Sequence, residues 1–338
     1  MNSLFRIALD TMSGDNGLEA VVPAALESLK SHEDIILILV GDEEQLTTEL
    51  AKYKQTPNER LSIHHASQVV TMDDAPALAL RNKKDSSMRV AINLVKEGEA
   101  DAAVSAGNTG ALMATGRFVL RMLPGIDRPA ICTAIPSSDG HTYMLDLGAN
   151  IDSSAEHLYQ FALMGTELVR AIDGRRNPKI GLLNIGQEDM KGNEQVKAAH
   201  ELIKSADFNY IGFVEGDDIF HGDVDVIVCD GFVGNVALKS SEGVAKMLSQ
   251  ELKNSYTKNL FTKLAALVSL PVLKAFRHRF DHRRYNGASL LGLKGILIKS
   301  HGSADQVAFA NAINIARKAV MERVPNRIER HLKKLADD

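Results

Sequence analysis

Three glycine-asparagine pairs in this chain lie in segments that follow an apolar run. They are Gly107–Asn108, Gly192–Asn193 and Gly234–Asn235. Each apolar run has the length of a buried strand, and each turn leads into a segment with helical periodicity. The first N–H groups of such a helix lack partners within the helix and favour a negative charge at the turn. The three turns therefore predict a phosphate-binding site at the carboxyl ends of strands in an α/β sheet.

Two residues in these turns are candidates for catalysis. Lys191 precedes Gly192 in the loop NIGQEDMKGNE, where its flexible ammonium can reach a phosphate. The alternative for Lys191 is an ordinary solvated surface lysine. Asn235 stands before a helix predicted over 236–252, where its amide can donate to a developing oxyanion or cap the helix. We expect both side chains at the active site.

Other loops at predicted strand ends are expected to bind substrate. They are DTMSGDNG after the first strand, SAGNTG, LGAN and SHGSAD. The alternative is that their polar residues shape turns and cap helices. For His301, a contact with a second subunit is a further alternative. We expect no metal site and no cofactor. The predicted substrate-binding residues are Asp10, Gly14, Asp15, Asn16, Gly107, Asn108, Thr109, Gly110, Asn150, Gly192, Asn193, Gly234 and His301.

The sequence lacks the motifs of several common enzyme mechanisms. It contains no G-x-G-x-x-G after a strand, no G-x-x-x-x-G-K-[ST] and no G-x-S-x-G. Anion-binding turns without an obvious protein nucleophile suit a reaction in which the anion itself attacks. Inorganic phosphate is already largely ionised at neutral pH, so it needs positioning more than deprotonation.

Composition narrows the class of protein. The chain has 338 residues, of which 45% are hydrophobic, and a formal net charge of −4, which does not favour nucleic-acid binding. Its two cysteines, Cys132 and Cys229, lie in apolar runs and do not have zinc-ligand spacing. No signal peptide and no run long enough to span a membrane are visible, so a cytoplasmic protein is expected.

Strand-like and helix-like segments alternate along most of the chain. The pattern begins with strands at 4–10 and 35–41 and helices at 19–31 and 43–53, and it predicts a mostly parallel sheet covered by helices. We expect one catalytic domain over residues 1–338, within which residues 253–285 form a protruding helical hairpin.

That hairpin segment is strongly basic. Residues 253–284 contain eight Lys or Arg and one acid, Asp281. Apolar residues form one helical stripe before Pro271 and a second, ending at Phe280, after it, which predicts two short amphipathic helices joined at the proline. Such a surface suits lipid or an acidic partner, and the alternative is a subunit interface. The expected contact residues are Lys263, Leu264, Leu267, Val268, Leu273, Lys274, Arg277, Arg279, Arg283 and Arg284.

Taken together, the motifs resemble the PlsX family, the phosphate acyltransferases of bacterial phospholipid synthesis. The motifs that carry the resemblance are IALDTMSGDNG, ALRNKKDSSM, SAGNTGALMATG, RPAI, LDLGAN, NIGQEDMKGNE, VCDGFVGNVALK and NGASLLGLKG, in the expected order. The resemblance implies transfer of an acyl group from acyl carrier protein to phosphate, giving an acyl phosphate for glycerol-3-phosphate acyltransferase. It also implies a Rossmann-like three-layer α/β/α fold, similar to isocitrate and isopropylmalate dehydrogenases and to phosphotransacetylases.

The resemblance further implies a homodimer attached to the cytoplasmic face of the membrane. In the mechanism that we expect, phosphate held by Lys191 attacks the thioester directly, and Asn235 with backbone N–H groups stabilises the oxyanion. Two alternatives remain open from the sequence: a phosphotransacetylase that uses acyl-CoA, and a membrane scaffold that binds acyl carrier protein without chemistry.

Overall fold

The computed structural model describes residues 4–279 and 281–337. Within them, eleven strands form one sheet in the order β3-β2-β1-β4-β11-β10-β5-β6-β9-β7-β8. The strands are β1 (Phe5–Asp10), β2 (Ile35–Gly41), β3 (Leu61–His65), β4 (Ala102–Ser105), β5 (Ala130–Ser137), β6 (Gly140–Leu145), β7 (Lys179–Leu183), β8 (Asn209–Val214), β9 (Val226–Val228), β10 (Ala288–Leu291) and β11 (Ile296–Lys299).

Helices connect most of these strands. They are α1 (Gly17–Ser31), α2 (Glu43–Lys52), α3 (Pro76–Asn82), α4 (Ser87–Glu97), α5 (Thr109–Leu120), α6 (Ala155–Ile172), α7 (Glu194–Lys204), α8 (Asp218–His221), α9 (Gly231–Thr257), α10 (Leu260–Arg279), α11 (Gln306–Met321) and α12 (Val324–Asp337). A short 3-10 helix spans His282–Tyr285.

The sheet contains two groups of parallel strands that run in opposite directions. Strands β3, β2, β1, β4 and β11 are parallel to one another, and so are β6, β9, β7 and β8. Between the groups, β10 is antiparallel to both β11 and β5, and β5 is antiparallel to β6. The carboxyl ends of the two groups therefore lie at opposite ends of the strand axes. We call these two sides of the sheet, from which the loops leave, its two edges.

Helices cover both faces of the sheet, because buried parallel strands have apolar side chains on each face. On β1, Ile7 and Leu9 pack into a cluster with residues of α1 and α11, including Phe309. The intervening Ala8 belongs to another cluster, with residues of α4 and α5. A third cluster packs α6 around Phe161 against the second group of strands. The predicted Rossmann-like three-layer α/β/α fold is confirmed.

A helical hairpin is present, but its turn is not at the predicted place. Pro271 lies inside α10, and the chain reverses between α9 and α10, next to Asn259. Asn259 starts α10 by accepting a hydrogen bond from the N–H of Thr262, whose hydroxyl accepts one from the N–H of Asn259 in return. The capping asparagine therefore sets the turn, and the helix tolerates the proline. The domain boundaries stay a prediction.

Candidate active site

The loops that carry Lys191 and Asn235 leave the same edge of the sheet side by side. Strands β7 and β9 are parallel neighbours, with Leu182 paired to Val228. The chain continues from β7 into the Lys191 loop and from β9 into α9, which carries Asn235. The described contacts include none between the two side chains themselves.

The Lys191 loop is organised by Asn184, which the sequence interpretation missed. The Asn184 amide donates hydrogen bonds to the carbonyl oxygens of Gly186 (3.1 Å) and Lys191 (3.2 Å). Gly192 has a φ of +96°, and a side chain there would collide with the Asn184 amide. Lys191 is exposed. The only sequence signal for Asn184 is an asparagine directly after the apolar strand.

Asn193, a predicted substrate ligand, acts as a helix cap. Its side-chain oxygen accepts a hydrogen bond of 2.8 Å from the N–H of Val196, at the start of α7. This bond satisfies one of the free N–H groups of the helix, which is the ordinary role of asparagine at this position.

A buried carboxylate shapes the neighbouring loop after β6. Asp146 accepts hydrogen bonds from the N–H groups of Ile131 (2.9 Å), Ala149 (3.0 Å) and Asn150 (2.7 Å) and from the Asn150 side-chain amide (2.9 Å). Burial raises the pKa of Asp146, and these hydrogen bonds oppose the rise. The Asn150 amide also donates to Pro129, so it is engaged within the protein rather than directed at a ligand.

Helix α9 begins five residues earlier than predicted and packs tightly on that loop. Asp230, not Asn235, caps it by accepting hydrogen bonds from the N–H groups of Phe232 and Val233. A side chain on Gly231 would overlap the carbonyl oxygen of Asn150, and one on Gly234 would overlap that of Asp146. Gly234, a predicted substrate ligand, therefore serves close packing, and Asn235 is left exposed in the first turns of α9.

Asn235 lies over the loop that follows β6. Gly148 has a φ of +112°, and a Cβ on it would be 3.4 Å from the Asn235 Cβ. Asn150, Gly148 and Asn235 therefore share the edge from which the Lys191 loop leaves.

The remaining predicted ligands lie at the opposite edge. Asp10 ends β1, fully buried, and accepts hydrogen bonds of 2.6 Å from the hydroxyls of Ser87 and Ser105. Asn108 caps α5 through the N–H of Ala111 and donates its amide to the carbonyl of Met72. The three glycine-asparagine pairs, from which the sequence predicts a phosphate-binding site at strand ends, therefore lie at two different edges, because β4 and β9 run in opposite directions.

Two loops are joined at this second edge. The N–H of Asp15 donates to the carbonyl of Gly302 (2.8 Å), and the amide of Asn16 donates to that of Ala304 (2.9 Å). Tight packing explains the glycines here: a Cβ on Gly14 would be 2.9 Å from the Gly302 oxygen. The other predicted ligands at this edge are Gly107, Thr109, Gly110 and His301.

Lys299 is a second lysine that the sequence interpretation missed. Its ammonium donates to the carbonyl oxygens of Ala106 (2.9 Å) and Gly107 (2.6 Å). Burial, with a smaller contribution from the charge of Lys239, lowers the pKa of Lys299 to about 8, and the charges of Asp10 and Asp15 oppose this shift.

Helix α9 carries lysines whose charges affect the pKa values of residues at the second edge. Desolvation and then the charge of Lys239 lower the pKa of His301, with a smaller contribution from Lys246. Lys239 and Lys246 follow Asn235 by four and eleven positions, so they lie on one face of α9. That face extends from the Asn235 edge towards the edge of Lys299 and His301.

Comparison with known proteins identifies the family. A family model described as "Fatty acid synthesis protein" matches residues 5–327. A phosphate acyltransferase from Methylococcus capsulatus is 64% identical over 322 residues, which cover 95% of each chain. One from Nitrosococcus oceani is 60% identical over 326 residues, which cover 96% of each chain. The chain belongs to the phosphate acyltransferase family.

Solved structures with the fold of this family member include two phosphotransacetylases. One, from Streptococcus pyogenes, has a TM-score of 0.63, an identity of 19% and a coverage of 94% of both chains. The other, EutD from Staphylococcus aureus, has a TM-score of 0.60 at 14% identity and covers 95% of this chain and 96% of its own. At these identities the likeness concerns the fold alone.

Neither cysteine of this phosphate acyltransferase family member is suited to be a nucleophile. Cys132 and Cys229 are both buried. Burial, with the nearby charge of Asp146, raises the pKa of each thiol far above its usual range. The reactive thiolate form is therefore scarce at neutral pH.

The hairpin exposes both apolar and basic side chains. In α10, Leu264 and Leu267 are about three-fifths exposed, at 61% and 62%, and Val268 is exposed at 79%. Lys263 and Lys274 are exposed and Leu273 is half-buried. None of the helices in the described ranges is long and apolar enough to cross a membrane.

The arginines predicted in the hairpin differ in their surroundings. Arg283 forms ion pairs with Asp281 (2.6 Å) and Asp305 (2.9 Å), so its charge is already compensated within the protein. Arg284 is exposed. The side chains of Arg277 and Arg279, and Phe280 altogether, lie outside the described residues.

Proposed function

We propose that this protein transfers an acyl group from acyl carrier protein to inorganic phosphate, giving an acyl phosphate and free carrier protein. The likeness to phosphate acyltransferases over nearly the full chain carries this proposal. The family model for fatty acid synthesis proteins supports a substrate from that metabolism. The acyl phosphate then serves a glycerol-3-phosphate acyltransferase in phospholipid synthesis.

In the proposed mechanism, phosphate attacks the thioester carbon directly. A phosphate oxygen forms the new carbon–oxygen bond, the tetrahedral oxyanion collapses, the carbon–sulfur bond breaks, and the thiolate takes a proton from the Lys191 ammonium or from phosphate. Lys191 holds the phosphate, and the amide of Asn235 donates to the oxyanion. The adjacent origin of the two loops at β7 and β9 and the burial of both cysteines support this route.

The hairpin serves in this proposal for carrier-protein docking and membrane attachment. Acyl carrier protein is acidic, so exposed Lys263, Lys274 and Arg284 are suited to attract it. The exposed apolar residues of α10 are suited to a peripheral contact with the cytoplasmic face of the membrane. We also propose a homodimer in which α9 contributes contacts, because Val244, Met247 and Leu248 are each more than half exposed.

Substitution of Lys191 tests the mechanism. With palmitoyl-carrier protein and phosphate as substrates, acyl phosphate is trapped with hydroxylamine and measured. We expect Lys191→Ala to lower kcat/KM by about 100-fold or more, the usual effect of removing one charge-stabilising group. Lys204→Ala, at another exposed lysine on the following helix, is the matched control and should change kcat/KM less than twofold.

Near-normal turnover by Lys191→Ala would remove this lysine from the mechanism. Cys132→Ser and Cys229→Ser should both retain turnover, and an acyl-enzyme that disappears in either variant would contradict direct attack. Replacing the carrier protein with coenzyme A distinguishes a phosphotransacetylase, which would use palmitoyl-CoA equally well. Absence of acyl phosphate with every donor would contradict the proposed function itself.

A further inference from the structure

One side of helix α9 carries a row of polar side chains that begins at Asn235. Lys239, Glu242 and Lys246 follow Asn235 by four, seven and eleven positions, and these spacings place all four residues on the same side of an α-helix. Lys239 and Lys246 are exposed, and Glu242 is half-buried. We call this row the polar face of α9. It leads away from the candidate active site along the helix.

The positive charge of the polar face lies at its far end. Lys239 and Glu242 form an ion pair of 2.9 Å, so their two charges offset one another. Asn235 is neutral, and the net charge of the four residues is therefore that of Lys246.

The polar face passes beside the loop that carries His301. Desolvation is the main cause that lowers the pKa of His301; the charges of Lys239 and Lys246 contribute, and the charge of Glu242 opposes them. Charges affect one another in this way only over short distances in salt solution. A ligand that lay on the polar face would therefore lie between α9 and the His301 loop.

We propose that the polar face binds the phosphopantetheine arm of the carrier protein, with the Lys246 ammonium on the phosphate group of the arm. This inference rests on the proposed function, in which Asn235 contacts the thioester at the other end of the arm. It adds a site for the part of the donor that does not react.

The length of the polar face matches the length of the arm. Eleven residues of α-helix rise about 17 Å, which is the distance along the axis from Asn235 to Lys246. The arm joins its sulfur to its phosphorus through about thirteen bonds, and since three backbone bonds span at most about 3.6 Å, it reaches about 15 Å when extended. The flexible lysine side chain covers the difference.

The chemistry of the polar face also matches the arm. The phosphate group is an anion, and a lysine ammonium binds phosphate as a flexible point charge. Between its two ends the arm carries two amide groups, which both donate and accept hydrogen bonds. The pair of Lys239 and Glu242 offers a donor and an acceptor at the middle of the face.

A second copy of this chain is the competing occupant of α9. The apolar residues that we assign to a dimer lie on the other side of the helix: Val244 follows Asn235 by nine positions, which is about two and a half helical turns. Dimer contacts through Val244 therefore leave the polar face to the arm.

Lys246→Gln tests the inference with two small donors that lack the carrier protein. They are S-octanoyl-4′-phosphopantetheine and S-octanoylpantetheine, which differ only in the phosphate group. We expect the wild type to use the phosphorylated donor with a kcat/KM about tenfold higher, and Lys246→Gln to lose this advantage. The kcat/KM for S-octanoylpantetheine should change less than about twofold, because this donor lacks the group that Lys246 binds.

Lys253→Gln is the matched control. Lys253 is an exposed lysine on the same side of α9, but it follows Asn235 by eighteen positions, about 27 Å along the axis and beyond the reach of the arm. This variant should keep the preference of the wild type for the phosphorylated donor.

Equal losses with both donors, no loss with either, or the same loss in Lys253→Gln would overturn the inference. Dissociation of a dimer by Lys246→Gln in analytical ultracentrifugation would also overturn it, since a second copy would then cover the polar face. Binding of 4′-phosphopantetheine and of pantetheine is measured by calorimetry as well, and Lys246→Gln should weaken only the first. That measurement requires no acyl transfer, so failure of the proposed function and failure of the inference are distinguishable.

Discussion

Residue type alone does not separate a ligand from a structural residue in these loops. Asn193 and Asn108 cap helices, as the alternative interpretation of the sequence held, and the amide of Asn150 is bound within the protein. Asn235 occupies a similar glycine-asparagine pair but is not the cap, because Asp230 starts the helix earlier. The asparagine of such a pair can therefore cap a helix or be left exposed. Which of the two occurs depends on other residues, such as Asp230, which caps α9 in place of Asn235.

Gly234 lies where helix α9 packs closely on the loop that follows β6. A Cβ at this position would overlap the carbonyl oxygen of Asp146 and would lie 2.8 Å from the Sγ atom of Cys229. The carbonyl belongs to the backbone, so it cannot move aside as a flexible side chain could. We expect Gly234→Ala to lower the free energy of unfolding by about 1–3 kcal/mol, the usual cost of overpacking, and to displace Asn235.

Urea unfolding with a parallel activity assay measures both effects. Gly243→Ala, on the same helix, is the control, since no atom lies within 4 Å of a Cβ there. In the control, alanine should leave stability equal or slightly higher, because glycine is the poorer helix former. Equal stability of Gly234→Ala and the wild type would contradict the packing role.

Strands and most helices follow from periodicity, whereas the turn of the hairpin does not. Strand β2 has the predicted bounds, 35–41, and β1 begins only one residue after the predicted start at residue 4, because buried strands read directly as apolar runs. Pro271 was expected to separate two helices, but α10 continues through it. A proline usually breaks a helix, and only the capping pair of Asn259 and Thr262 marks the true turn.

The exposed stripe of α10 predicts a measurable membrane contact. We expect Leu267→Glu to reduce flotation of the protein with anionic liposomes severalfold, because a carboxylate would be placed in the lipid headgroup region and repelled by it. Leu78→Glu, at a comparably exposed leucine on α3, should float like the wild type. Unchanged flotation of Leu267→Glu would exclude this stripe as the anchor.

The direction of the strands divides the predicted ligands between two edges, which no local motif indicates. The sequence interpretation treated SAGNTG and DGFVGN as equivalent, since both follow an apolar run. Their strands, β4 and β9, nevertheless belong to groups of opposite direction, because β10 and β5 are antiparallel insertions between them. That pairing depends on long-range contacts. Helix α9, with Lys239 on the face of Asn235, extends from one edge towards the other.

The last two helices connect both groups of strands, so the complete fold should depend on them. Helix α11 packs into the cluster of α1 and β1, and Arg317 forms two hydrogen bonds with Asp34 beside β2. Helix α12 instead places Ile328, which is 1% exposed, in the cluster of α6. We expect Ile328→Ala to lower the free energy of unfolding by about 2–4 kcal/mol, because it removes buried methylenes and leaves a cavity.

Chemical unfolding followed by circular dichroism measures this loss, with Leu335→Ala as the control on the same helix. Leu335 is 39% exposed, so truncating it removes less buried surface and should cost under about 1 kcal/mol. Because α12 packs on α6 while α11 packs on α1, a single cooperative transition should shift in Ile328→Ala. If the second group of strands unfolded alone at lower denaturant concentration, the two groups would be independent units, and the expectation of one catalytic domain would fail.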